Sequence, residues 1–208
     1  MPNLLTTYYN HIINSLSNCF INTWRKIGSI QHILLAMAAK EQLGDAHALD
    51  NNIAAMAHPD GMTALLSGSV KCQLTTSPFI FKEAEEEGIT EVDAIESVWP
   101  EGNSFIVAVA STDLYENNPA LYHAVLEAFE DAIAFINDEP EAAAEMLCAE
   151  ENVDAETYLG WLKAPACSYS TELKGVSAMA SFMTEEGFLE DAQFEDISQL
   201  VYDGIEGN

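Results

Sequence analysis

Apolar residues recur at three- and four-residue intervals from Ile33 through Leu34, Met37 and Ala38, behind a Ser at position 29 and ahead of Gly44. That spacing predicts an amphipathic helix capped by Ser29 and ended at Gly44. Ile53 to Met56 is a short apolar run that predicts a strand, and His58-Pro59-Asp60 reads as a turn whose Asp60 can cap a helix over Gly61 to Leu66. Val70 to Thr76 alternates in strand fashion and stops ahead of Pro78. Further strands are predicted over Ala94 to Val98 and over Phe105 to Ala110, the latter (FIVAVA) apolar throughout, as a strand covered on both faces would be. Asn118-Pro119 then opens the strongest helix, with Leu121, Val125, Leu126, Phe129, Ile133 and Ile136 on one face and Glu127, Glu130 and Asp131 on the other. Pro140–Leu147, Asp154–Leu162, Leu173–Glu186 and Phe188–Tyr202 continue the helical pattern. Strands alternating with helices and closing on a helical tail predict an α/β architecture.

Residues 1–27 break this pattern. They are rich in Asn, Thr and Ser, and their apolar runs are too short to span a membrane. Arg25 and Lys26 follow the apolar part, the reverse of a secretory signal, and Cys19 lacks the compact apolar stretch of a lipid-attachment site. The segment reads as a foreign or frayed leader, or as an improvised first helix.

Composition changes the picture mainly through charge. The 208 residues carry a net charge of −27, yet 49% are hydrophobic, which argues for a folded chain. Three bases and no acid precede Glu41; from Glu41 onward, Lys71, Lys82, Lys163 and Lys174 stand against 34 acids. No basic stripe exists to neutralise phosphates, so nucleic acid is not an expected partner. The acidity suits either a salt-adapted source or an ordinary acidic protein. The four cysteines form no CxxC pair and the five histidines no HxH or HExxH arrangement, so no metal and no cofactor is expected. A Cys–His pair, a GxSxG elbow, a P-loop and a Rossmann glycine fingerprint are likewise missing, which weighs against an enzyme.

The strings GSIQHILLAMAAKEQLG, MAHPDGMTALLSG and TTSPF, followed by FIVAVASTDLYENNPALYHAVLEAFEDAIAFINDEPEAAAEML, resemble the solute-binding proteins of ABC importers for nitrate, sulfonates, taurine and thiamine or pyrimidine precursors. The resemblance implies a type II periplasmic-binding fold with a truncated first lobe: an atypical segment over 1–27, a second-lobe segment over 28–76, and a return to the first lobe with C-terminal helices over 77–208. It also implies a small anionic or zwitterionic ligand in an interlobe cleft, a permease partner and a periplasmic or extracytoplasmic location.

The ligand-binding candidates follow the matching positions. Gly28, Ser29, Ile30 and Gln31 correspond to a helix N-terminus facing the cleft, where free N–H groups and the helix dipole favour an anion; an ordinary N-cap is the competing reading. His58, Asp60, Gly61 and Met62 correspond to a second cleft-lining turn, with Asp60 as cap and His58 as a structural turn residue in the competing reading. Thr75, Thr76, Ser77 and Phe79 correspond to the crossing strand, their hydroxyls suited to a polar head group and the ring to an apolar wall. Trp99 is either a further wall or a hinge or core aromatic. Only 27 residues precede Gly28, fewer than the first lobe of that family needs, which leaves the strands near Ala94 to Ala110 with apolar edges. Three function classes therefore stand: a solute-binding importer component, a non-binding remnant or module that dimerises through that edge, and an enzyme of precursor synthesis.

Overall fold

The computed structural model describes residues 21–24, 28–92, 95–165, 167–190 and 196–202. Residues 1–20 and 25–27 of the leader, Cys19 among them, lie outside this set, as do Ala94 of an expected strand and residues 191–195 of the expected last helix. The chain divides into two compact units, one from Met1–Pro100 with Phe182–Glu190, the other from Glu101–Ser181 with Asp191–Asn208.

The first unit is built on a parallel ladder of three short strands. Strand β1 (Ile21–Trp24) lies in the middle and pairs with β2 (Ile53–Met56) on one side and β3 (Cys72–Gln73) on the other. Helix α1 (Ile30–Leu43) begins where the Ser29 hydroxyl accepts the His32 N–H, and it ends at Gly44, whose φ of 79° is the left-handed conformation that glycine adopts at least cost. Its inner face places Leu35 and Ala39 against Leu49, with Leu43, Ile53, Cys72 and Leu74 closing around them. Burying side chains of the size of Leu35 and Leu49 contributes about 2 kcal/mol each. Helix α2 (His58–Leu66) follows β2 after one residue, and Pro59 in its first turn lacks an N–H that would be unpaired there anyway. Helix α3 (Phe79–Ala84) follows β3 through Leu74 to Pro78.

The second unit is helical. Ser111 caps α4 (Thr112–Asn117), Asn118 caps α5 (Pro119–Asp138), and α6 (Pro140–Glu151) follows after Glu139. Asp154 caps α7 (Ala155–Leu162), and along α8 (Val176–Glu185) the chain returns to the first unit. Ala143 and Ala144 of α6 are small enough for α7 to approach closely, and Leu162 seals that contact with Phe135, Ile136, Tyr158, Leu159 and Tyr169 around it. Tyr115 stacks on Tyr202 with centroids 4.2 Å apart and meets Tyr122 edge-on, which fixes α4 against the start of α5.

Several expectations are corrected here. With 54% helix and 4% strand, the architecture is not the α/β type II periplasmic-binding fold. The apolar run Phe105–Ala110 forms no strand: Ile106 is 81% and Val109 90% exposed, because among the described residues no strand supplies the pairing that an apolar run alone cannot provide. Residues 95–98 form a turn, not a strand, and Val70–Thr76 contracts to Cys72–Gln73. Asp60 is not a cap, since α2 already starts at His58 behind Ala57 and puts Asp60 in its first turn. The stretch expected to cross back as a strand enters α3 instead, and Ile197–Gln199 is a single 3-10 turn within the expected last helix. Conversely, part of the supposed leader is the central strand: Ile21–Trp24 pairs along its length with Ile53–Met56, and Ile21 and Asn22 pair also with Cys72 and Gln73.

Candidate functional site

Parallel strands aim their C-terminal ends at one edge of a sheet, and the segments that leave that edge are where open parallel sheets gather ligand-binding groups. In the first unit, β2 runs directly into His58 at the start of α2, and β3 runs into Thr75 and Thr76. Since β1 lies between β2 and β3, a bond between these two segments crosses the end of the central strand. Two such bonds exist. His58 Nδ1 is 2.9 Å from the Thr75 hydroxyl and Nε2 is 3.5 Å from the Thr76 hydroxyl. Phe79 stacks on the same imidazole with centroids 5.3 Å apart and planes 21° from parallel.

Burial of His58 lowers its pKa, so the ring is neutral near pH 7, and hydroxyls suit either tautomer because each both donates and accepts. Below the ring, Gln73 Nε2 donates to the Glu83 carboxyl at 2.9 Å and to the His58 carbonyl at 3.4 Å. A carbonyl only accepts, which fixes the amide orientation and leaves Gln73 Oε1 buried with no partner among the described residues. Glu83 is 4% exposed, and desolvation pushes its pKa up to about 7. The Lys82 ammonium stands 5.8 Å from the Phe79 ring centre. The cluster thus combines a neutral imidazole, two hydroxyls with spare capacity, an aromatic face, an unused buried acceptor and a carboxyl poised to change charge.

Of the residues proposed from the sequence, His58, Thr75, Thr76 and Phe79 come together here. Asp60 and Ser77 are exposed and Met62 half-buried, while Gly61 is buried with its N–H bonded to the Ala57 carbonyl. Gly28 to Gln31 belong to a separate arrangement in which helix capping consumes polar groups: the Gly28 N–H donates to His32 Nδ1 at 2.8 Å, and Ser29 holds the His32 N–H. Ile30 is half-buried as the first residue of α1, and Gln31 is buried with Oε1 unpartnered among the described residues. Trp99 is buried, its indole N–H likewise unpartnered among the described residues, in keeping with the core-aromatic reading.

Sequence reading missed Gln73 and Glu83. In the sequence Glu83 opens the charge-rich run EAEEEG, whose composition suits a solvated face, but on a helix that starts at Phe79 it lies four residues on and shares the face of Phe79. That i, i+4 relation was available once the segment was read as helix.

A second polar knot lies around Asp50. Its carboxylate accepts from His32 Nε2 at 3.2 Å and from His47 Nδ1 at 2.8 Å, while His47 Nε2 donates to the Glu186 carbonyl at 2.9 Å. Both His47 nitrogens therefore face acceptors, the Glu186 carbonyl foremost, which raises its pKa and stabilises the imidazolium. Phe188 packs edge-on against His32 and obliquely against His47, and Lys40 pairs with Glu186 at 3.0 Å. Both imidazoles, both Asp50 oxygens and the Lys40 ammonium engage other protein groups, so the knot reads as a clasp for the 182–190 segment. Among the described residues no group of three or more His, Cys, Asp or Glu side chains is arranged to hold a metal, and no helix is long and apolar enough to cross a membrane. Comparison with protein-family models, with curated proteins and with solved structures finds no match to this chain.

Proposed function

We propose that the chain binds, without transforming, a small zwitterionic organic solute at the His58–Thr75–Thr76–Phe79 cluster. The observation that carries this reading is the unused Gln73 Oε1 acceptor beside the titrating Glu83. A buried acceptor without a donor costs about 1–3 kcal/mol, which an ammonium or amide group of a ligand recovers. The Thr75 and Thr76 hydroxyls, with Lys82 near Phe79, suit the acidic end of the same molecule. A bare anion fits less well: Asp60 occupies the first turn of α2, and the net charge of −27 sets a long-range field against it. An amino-sulfonate such as taurine matches both ends. A role as the extracytoplasmic component of an importer, passing solute to a permease, rests on the sequence resemblance and requires this binding.

The test is thermal unfolding against taurine, alkanesulfonates, nitrate and phosphonates, for the wild-type chain and for Thr75→Val. Taurine is expected to raise the wild-type midpoint with the concentration dependence of a single site, and Thr75→Val to weaken that response. If no zwitterion moves the midpoint, or Thr75→Val responds as the wild type does, the proposal fails.

A further inference from the structure

We propose, on the footing of the solute-binding reading, that a proton gates the site: the protonated Glu83 carboxyl donates to Gln73 Oε1 and takes the acceptor that a solute ammonium needs. The basis is the orientation of one amide. Gln73 Nε2 gives one hydrogen to Glu83 Oε1 at 2.9 Å and the other to the His58 carbonyl at 3.4 Å. With both hydrogens spent on acceptors the amide is held one way round, and Oε1 is left buried without a donor among the described residues. An ionised carboxylate beside it only accepts and does not meet that need. A protonated carboxyl does: it keeps the bond from Nε2 on one oxygen and sends its O–H from the other to Gln73 Oε1, closing a two-bond ring between acid and amide.

The two protonation states therefore present different sites. With Glu83 ionised, a carboxylate and an unused amide oxygen stand side by side, and an ammonium supplies hydrogens to both. With Glu83 protonated, the charge is gone and the acceptor is occupied. The solute ammonium and the Glu83 proton are thus alternatives, and binding to the protonated form returns one proton to water. Burial sets where the exchange falls, since Glu83 is 4% exposed and desolvation pushes its pKa up to about 7. From α2, which packs against α3, His58 faces the same amide; its pKa lies below 6.5, which makes it the competing source of a pH effect near pH 6. Asp60 on that helix is exposed. On β3, Cys72 packs against the Leu35, Ala39 and Leu49 cluster, on the strand face opposite Gln73. On α3 itself, Lys82 stands near the Phe79 ring, and Glu85, Glu86 and Glu87 beyond the helix are exposed.

The test is calorimetric titration of the full chain with taurine, which keeps both charges between pH 6 and 8, for the wild type and for Glu83→Gln. Wild-type affinity is expected to fall roughly tenfold from pH 8 to pH 6, the loss that competition with one proton of pKa near 7 produces. Glu83→Gln, whose amide pairs with Gln73 as the protonated acid does, is expected to bind weakly and equally at both. Equal wild-type affinity at pH 6 and 8 overturns the gate and leaves the binding reading standing. A tenfold fall that persists in Glu83→Gln overturns the gate in favour of His58, and no binding at any pH overturns gate and binding reading together. A solute-free NMR titration of the wild type reads the acid–amide pair without the variant: the Gln73 side-chain amide protons and the Glu83 carboxyl carbon are expected to shift together with one midpoint near 7. A Gln73 amide that stays still while Glu83 titrates, or a Glu83 midpoint at the ordinary 4.5, overturns the pair.

Discussion

Replacing Glu83 by Gln isolates the cost of one buried carboxyl. The Gln side chain retains an oxygen that accepts the Gln73 Nε2 bond, now 2.9 Å long, but it cannot ionise. In the folded chain desolvation holds the Glu83 pKa at about 7, against a reference of 4.5. Below pH 4.5 both states hold the proton, and the wild type is under no penalty. As pH rises from 4.5 through 7 the unfolded chain loses the proton first, so wild-type stability falls and then levels off. At 1.36 kcal/mol per pH unit the full loss is about 3 kcal/mol, of which about 2.5 kcal/mol accrues between pH 5 and 8. For a chain of this length that corresponds to a midpoint advantage of Glu83→Gln over the wild type that grows by roughly 5–10 °C from pH 5 to pH 8. Paired thermal melts followed by circular dichroism at half-unit pH steps read this directly. A midpoint difference that stays constant from pH 5 to 8 would refute the claim that Glu83 is desolvated.

His47 should titrate above 6.5, because the Glu186 carbonyl and Asp50 both favour the imidazolium. The stability it contributes is present below 6.5 and is lost as pH rises through the elevated folded value; NMR titration of its ring checks this, and a pKa at or below 6.5 contradicts the clasp. Leu35→Ala opens the core beside Ala39 and Leu49 and should cost 2–5 kcal/mol, or roughly 4–20 °C in midpoint, whereas an exposed change such as Leu66→Ala should cost under about 0.5 kcal/mol. Ser29→Ala removes the side-chain cap of α1 and should cost about 1 kcal/mol, mostly restored by Ser29→Asp, with equilibrium denaturation as the readout.

What was legible in the sequence was local. The cap and stop of α1, at Ser29 and Gly44, and the start of α5 at Asn118-Pro119 are set by backbone chemistry within one turn, and both appear where the residues place them. The strand Ile53–Met56 was legible too, because turn residues bracket its apolar run. Non-local features were not. The central strand Ile21–Trp24 has a four-residue pattern too short to rise above its polar surroundings, and it exists through pairing with residues 32 and 51 positions away. The run FIVAVA has the composition of a covered strand, but composition does not supply partners, and Ile106 to Ala110 stand exposed with Phe105 half-buried. At the site, His58, Thr75, Thr76 and Phe79 drew notice through their residue types; Glu83 is placed by its i, i+4 relation to Phe79 only once the segment is read as helix, and its pairing with Gln73 is a contact between β3 and α3 that no local spacing reveals.

Titration of the chain with taurine, followed through the imidazole resonances of His58, tests the central claim most directly. The account requires a saturable shift of the His58 ring with the same midpoint as the thermal response, lost in Thr75→Val, while His123 of the second unit stays unmoved. No change at His58 up to saturating solute, or equal shifts at every histidine, would contradict it.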